Sequence, residues 1–180
     1  MTGQKIGHAV SFSLLWKANF GQKKWEAACA HMVKKLGFII VTHGDIGNAL
    51  LEVARYILGR PLDNFTAVKV PFMSELKGRP EADVSAPFAA REQMIRQGIN
   101  DAGKKMDQVD GTVILTDVLG GTGFNVSWEL MSHDAGAVIA GVNLPMVLKA
   151  AEIKTTDPVA AAAELVDRSC RAIVCRSSAR

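Results

Sequence analysis

Two stretches of this 180-residue chain run from apolar residues into side chains that can do chemistry. Phe38-Ile39-Ile40-Val41-Thr42 leads into His43-Gly44. Val113-Ile114-Leu115-Thr116 leads into Asp117, followed by Val118-Leu119-Gly120-Gly121-Thr122-Gly123. A neutral imidazole is a nucleophile and changes charge near neutral pH. A carboxylate bonded to one ring nitrogen sets the tautomer and leaves the lone pair of the other free to attack. It also stabilises the cation formed when that nitrogen takes a substituent, which is the orienting logic of a catalytic triad without its serine. The glycine loop offers unhindered N–H groups, from Gly120, Gly121 and Thr122, at a helix start, and such a nest attracts anions, phosphate above all. The loop is not a P-loop, because no Gly-Lys-Ser/Thr follows, and its glycines miss the offsets of the dinucleotide fingerprint. His43, Asp117 and this loop together point to phosphoryl transfer through phosphohistidine. His8, His31 and His133 have no comparable neighbours.

Positioning such a site requires two strands that end side by side. Residues 37–42 form a short continuous apolar run, the pattern of a strand buried on both faces. Asp45 or Gly44 is then expected to cap a helix whose apolar face is Ile46, Leu50, Val53, Ala54 and Ile57, ended by Gly59 and Pro61. Phe65 to Val70 reads as a second strand stopped by Pro71, and residues 73–88 as a loop. Ala89 to Met106 carry Met94, Ile95, Ile99 and Met106 at helical spacing. Asp110-Gly111 turns into a third strand, Thr112 to Thr116. A helix follows from Asn125 to Met131, with Val126 and Leu130 on one side. Ala137 to Val142 make a fourth strand, Asn143-Leu144-Pro145 a loop, and Met146 to Ile153 a helix. Asp157 as N-cap with Pro158 in the first turn starts another helix that runs to about Ser169, and 172–175 form a short last strand. Alternating strands and helices imply an α/β fold with a mostly parallel open sheet and helices on both faces. In such sheets ligands sit beyond the carboxyl ends of the strands, near a switch in strand order.

The bulk properties narrow the function classes. A hydrophobic content of 48% argues against disorder, and the length suits one α/β domain. Acids and bases interleave to a net charge of +3, so there is no nucleic-acid footprint of clustered Lys and Arg. Cys29, Cys170 and Cys175 are odd in number and lack metal-ligand spacing, which fits reduced thiols in a cytoplasmic protein. No apolar run approaches the ~20 residues needed to span a bilayer. Residues 1–31 differ from the rest: they hold Trp16 and Trp25, show no clear period, and precede a natural-looking start at Met32-Val33-Lys34-Lys35. They read as a leader, an added segment or an over-extended start, with a docking helix as the rival, and 32–180 as the domain.

The ordered set Ile-Val-Thr-His-Gly around His43, Leu-Thr-Asp-Val-Leu-Gly-Gly-Thr-Gly-Phe-Asn at 115–125 and Ala-Gly-Val-Asn-Leu-Pro-Met at 140–146 resembles the enzyme IIA component of the mannose/fructose/sorbose-family sugar phosphotransferase system. The resemblance runs from about Lys35 to Arg176. It implies that His43 accepts a phosphoryl group from the phosphocarrier HPr, or a paralogue, at the ring nitrogen far from the main chain, and passes it to a separate IIB protein. Asp117 falls at the family's aspartate, and Thr122 where the family has Ser or Thr near the phosphoryl group. It further implies a homodimer in which residues 171–176, the last strand, cross to the partner, no metal or organic cofactor, and contact with the membrane only through a IIC/IID permease. Gly123 stands where family members usually have proline, and the 73–88 loop is longer than theirs. Two alternatives stay open: a regulatory phosphoprotein without a transporter, and the phosphoryl-donor subunit of a dihydroxyacetone kinase, whose loop lacks the Gly-Gly-Thr-x-Phe-Asn run.

Overall fold

The computed structural model describes residues 35–76, 86–106, 109–131 and 136–177. The leader reading of residues 1–31 and most of the 73–88 loop lie outside them. Four strands form one sheet in the order β2-β1-β3-β4: β1 Leu36–His43, β2 Phe65–Val70, β3 Gly111–Thr116 and β4 Gly136–Ala140. Every pairing is parallel. Five helices connect and follow them: α1 Ile46–Leu58, α2 Ala86–Lys105, α3 Thr122–Met131, α4 Leu144–Ala150 and α5 Pro158–Cys170.

Side chains alternate across the sheet, so each strand feeds two cores. Phe38, Ile40, Phe65, Val113 and Leu115 point to one face, where they meet buried residues of α1, α4 and α5. Phe38 and Phe65 stack there with ring centroids 4.7 Å apart. Ile39, Val41, Val68, Val70 and Ile114 point to the other face and meet Ile95, Ile99 and Ala102 of α2, Met106 just past its end, and Val126 of α3. Helices on both faces explain why β1 and β3 read as unbroken apolar runs rather than alternating ones.

Several elements depart from the expectations above. The inner face of α1 is Gly47, Leu51 and Ala54, whereas Ile46, Val53 and Ile57 are exposed. Close approach decides the rotation: a Cβ on Gly47 would lie 3.0 Å from Thr42 Oγ1 and 3.3 Å from Ala67, so the helix seats its glycine on the sheet. Asp45 occupies the N-cap without a side-chain cap bond, and the Gly47 N–H donates to Thr42 Oγ1 at 2.7 Å instead. The start of the 73–88 segment is a turn of 3-10 helix, Met73–Leu76, and α2 begins at Ala86. Met94 is exposed, although Ile95, Ile99 and Met106 are buried as expected. α3 starts at Thr122, three residues before Asn125. α4 starts at Leu144, because Asn143 caps it by accepting the Met146 N–H at 2.9 Å and Pro145 is tolerated in a first turn. β4 ends at Ala140, where Gly141 turns the chain at φ 88°. Residues 173–177 leave α5 without joining the sheet of their own chain, and Ile173 and Val174 are exposed.

Candidate functional site

The order β2-β1-β3-β4 places the switch point between β1 and β3. The chain leaves β1 towards β2 on one side, and returns to β3 on the other. His43 is the last residue of β1, and Asp117 is the first residue beyond β3. The two strands pair in parallel up to Val41 and Thr116, so their ends emerge together. His43 shares the strand parity of Ile39 and Val41, which directs its ring to the face covered by α2 and α3.

Asp117 binds His43 twice through one oxygen. The His43 backbone N–H donates to Oδ2 at 2.8 Å, and ring Nδ1 lies 2.9 Å from the same Oδ2. A carboxylate only accepts, so Nδ1 carries the hydrogen and Nε2 holds the lone pair of the neutral ring. The side chains are 29% and 16% exposed, which leaves the imidazole reachable while its anchor is mostly covered. Burial alone pushes the Asp117 carboxyl up, but the backbone and ring hydrogen bonds from His43 outweigh it and hold the group below its usual range. The anchor is therefore an anion over the whole neutral range.

The turn that carries His43 is packed tightly. Gly44 adopts φ 55°, its N–H donates to the Val70 carbonyl at 3.3 Å, and the Phe72 ring lies over it. A Cβ at Gly44 would come within 3.0 Å of that ring. Thr42, buried beneath, ties the end of β1 to α1 through the bond from Gly47. The parts played by Thr42 and Phe72 emerge only in the fold. The available signals were a hydroxyl five residues ahead of a glycine that must touch the sheet, and an aromatic just past the neighbouring strand.

The second loop is more open. Val118, Leu119 and Gly120 are exposed, and Gly120 adopts φ 74°. The Gly121 N–H donates to the Val118 carbonyl at 3.3 Å, so this amide, expected to be bare, closes the loop's own turn. Asn125 pins the loop from within α3, its Nδ2 donating to the Gly120 carbonyl at 3.2 Å. The first helical bond of α3 runs from the Asn125 N–H to the Gly121 carbonyl, which leaves the N–H groups of Thr122, Gly123 and Phe124 ahead of it at the helix start. Gly123 packs closely: a Cβ there would meet Val70 at 3.0 Å and Val41 at 3.2 Å. The structure thus brings His43 and Asp117 into contact and ties the loop carrying Gly120, Gly121 and Thr122 to the same sheet edge. Such a site can present one nucleophilic nitrogen, backed by an anion, beside helix-start amides.

Residues 88–167 match the model of the family described as the PTS system fructose IIA component, the family that the sequence motifs resemble. The matched segment contains Asp117 and the glycine loop; His43 precedes it. No curated protein matches the chain. Among solved structures, the mannose/sorbose-specific IIA subunit of the phosphotransferase system from Enterococcus faecalis is similar at 22% identity, covering 81% of this chain and 98% of that one with a TM-score of 0.61. The phosphotransferase system component EIIA from Streptococcus agalactiae is similar at 21% identity, with 78% and 96% covered and a TM-score of 0.60. The IIA protein associated with the fucose utilization operon of Streptococcus pneumoniae follows at 16% identity, with 78% and 93% covered and a TM-score of 0.57. At these identities the likeness establishes a shared fold.

Proposed function

We propose that the chain is a histidine phosphocarrier of a sugar phosphotransferase system, with His43 as the residue that carries the phosphoryl group. The observation that carries this reading is the Asp117 Oδ2 contact to His43 Nδ1 at 2.9 Å, which leaves Nε2 as the attacking atom. The Nε2 lone pair attacks phosphorus on a phosphohistidine donor of the HPr class. The new N–P bond forms as the donor's N–P bond breaks, and the departing ring keeps that bond's electron pair. No proton needs to move, because Nδ1–H stays on Asp117 and the carboxylate balances the positive charge the ring acquires. Onward transfer to a IIB protein runs the same step in reverse. Donor and acceptor bonds are alike, so the protein's contribution is positioning and charge stabilisation rather than driving force. Gly120, Gly121 and Thr122 serve as the phosphate-facing loop in this reading, with the N–H groups at the start of α3 meeting the anion.

A cytoplasmic location and a homodimer go with the proposal. Among the described residues, no helix is long and apolar enough to cross a membrane. Exchange of residues 171–176 with a partner would cover Ile173 and Val174, which are 77% and 70% exposed in the single chain. Incubation with phosphoenolpyruvate, enzyme I and HPr tests the central claim. The expected product carries one acid-labile phosphate on His43, and His43→Ala carries none. An unlabelled wild-type protein, or a His43→Ala variant that still labels, overturns it.

A further inference from the structure

The inner stripe of α2 holds a cation where the helical pattern calls for an apolar residue. Ile95, Ile99, Ala102 and Met106 are buried against the sheet, and Gly98 seats on Val68, where a Cβ would come 2.7 Å from Cγ1. Arg91 lies one turn before Ile95 and two turns before Gly98, on that same stripe. Its Nε is fully buried and has no hydrogen-bond partner, and among the described residues Arg91 joins no ion pair. Unpartnered buried donors are rare, because each forfeits its bonds to water. The neighbouring Arg96, in contrast, donates to Glu129 of α3 at 2.8 Å.

The register places Arg91 at the site's end of the sheet. α2 follows β2 and returns antiparallel to the strands, so its N-terminal part lies at the carboxyl edge, where it packs against the 3-10 turn after β2. Two helical turns from Gly98 amount to about 10.5 Å. That is about three strand residues beyond Val68 at ~3.3 Å each, a level just past Val70. Val70 is the register partner of His43. Arg91 therefore enters on the sheet face to which the His43 ring points, and at the level where that ring ends its strand.

Resting on the phosphocarrier reading, we propose that Arg91 is the resident cation facing the phosphoryl group on His43. A phosphoryl group on Nε2 brings a dianion to this side of the sheet, while Asp117 sits behind the ring with charge of the same sign. A guanidinium with a free donor offers the compensating charge and a hydrogen bond, and its planar fork suits phosphate oxygens. Its effect falls on transfer and on the lifetime of the phosphohistidine, not on the choice of nitrogen, which Asp117 sets.

The Arg91 side-chain Nε–H resonance, assigned with the Arg91→Lys variant in 15N-labelled protein, reports directly on this contact. It is expected to shift on phosphorylation of His43, and to shift saturably when unphosphorylated protein is titrated with inorganic phosphate. Arg91→Gln is expected to slow phosphoryl uptake at least tenfold with an unchanged thermal midpoint, and Arg91→Lys to recover part of the loss. A resonance that stays put in the titration and in the phosphorylated protein overturns the proposal. So does Arg91→Gln at the wild-type rate. If Arg91→Gln does not fold, the wild-type resonance decides alone. A resonance that moves with phosphate while the donor proteins leave His43 unlabelled supports a phosphate-facing Arg91 and overturns the phosphocarrier reading.

Discussion

The two loops at the carboxyl edge share a plan and differ in how they are held. After β1 the chain needs only Gly44 and Asp45 before α1 begins. That turn is locked by Thr42 below, Val70 beside and Phe72 above. After β3 five residues intervene before α3, Leu119 is 74% exposed, and a Cβ on Gly120 would meet nothing within 4 Å. The residue proposed to form a covalent bond sits on the rigid turn, and the carboxylate that orients it opens the looser loop. Asp117 is nevertheless held, because His43 itself supplies its two hydrogen bonds. The looser loop therefore takes its order, in part, from the rigid one.

That dependence can be broken from either side. The largest effect is expected for Asp117→Asn. An amide in place of the carboxylate no longer requires Nδ1 to hold the proton and no longer balances the ring's positive charge. Phosphoryl uptake is expected to fall about 100-fold, measured as the initial labelling rate with HPr in excess. An unchanged rate would remove Asp117 from the mechanism. Next comes Thr42→Val, which keeps the shape but strands the buried Gly47 N–H. A loss of about 2 kcal/mol in denaturant-measured stability is expected, and a neutral result would show that the lock does not hold the turn.

The two glycines sharpen the contrast further. Ala at Gly44 meets both a left-handed backbone and the Phe72 ring, whereas Ala at Gly120 meets only the backbone strain of about 1 kcal/mol. Gly44→Ala should therefore be the more destabilising of the pair in parallel thermal melts, and equal midpoints would refute the packing argument. The smallest effect is the acid dependence. The folded carboxyl of Asp117 titrates below its unfolded value, so its contribution is complete above the ordinary carboxylate range. It is lost as pH falls through the lowered folded value. The wild-type protein should lose stability over that acid window more steeply than Asp117→Asn, by the slope of one group. Parallel slopes would mean that the His43 bonds do not lower Asp117.

Legibility in the sequence followed how local each signal was. β1 and β3 are legible because burial on both faces demands unbroken runs such as Phe38 to Val41. Asp157 with Pro158 announced α5 because capping is decided by neighbours in sequence, and the Val159 N–H indeed donates to Asp157 Oδ1 at 2.9 Å. The face of α1 is not legible locally, because Ile46, Val53 and Ile57 look apolar while the sheet selects the residue that is small, Gly47. The start of α3 is hidden in the sequence, since the glycines at 120, 121 and 123 read as a loop, and only packing of Gly123 against Val41 and Val70 draws the helix back to Thr122. Arg91 escaped notice because a charge on a helix is unremarkable until the sheet shows which stripe faces inward.

The chain by itself determined the α/β alternation, the two residue types at the strand ends and the anion-friendly loop, because apolar runs, caps and glycines act over a few neighbours. Tertiary structure alone decided that 74 residues of separation close to 2.9 Å, that the ring faces α2 and α3, and which amide the loop consumes for itself. Those outcomes depend on strand order and register. Both are set by the summed packing of distant residues on two faces of one sheet, a sum that no short stretch of sequence contains.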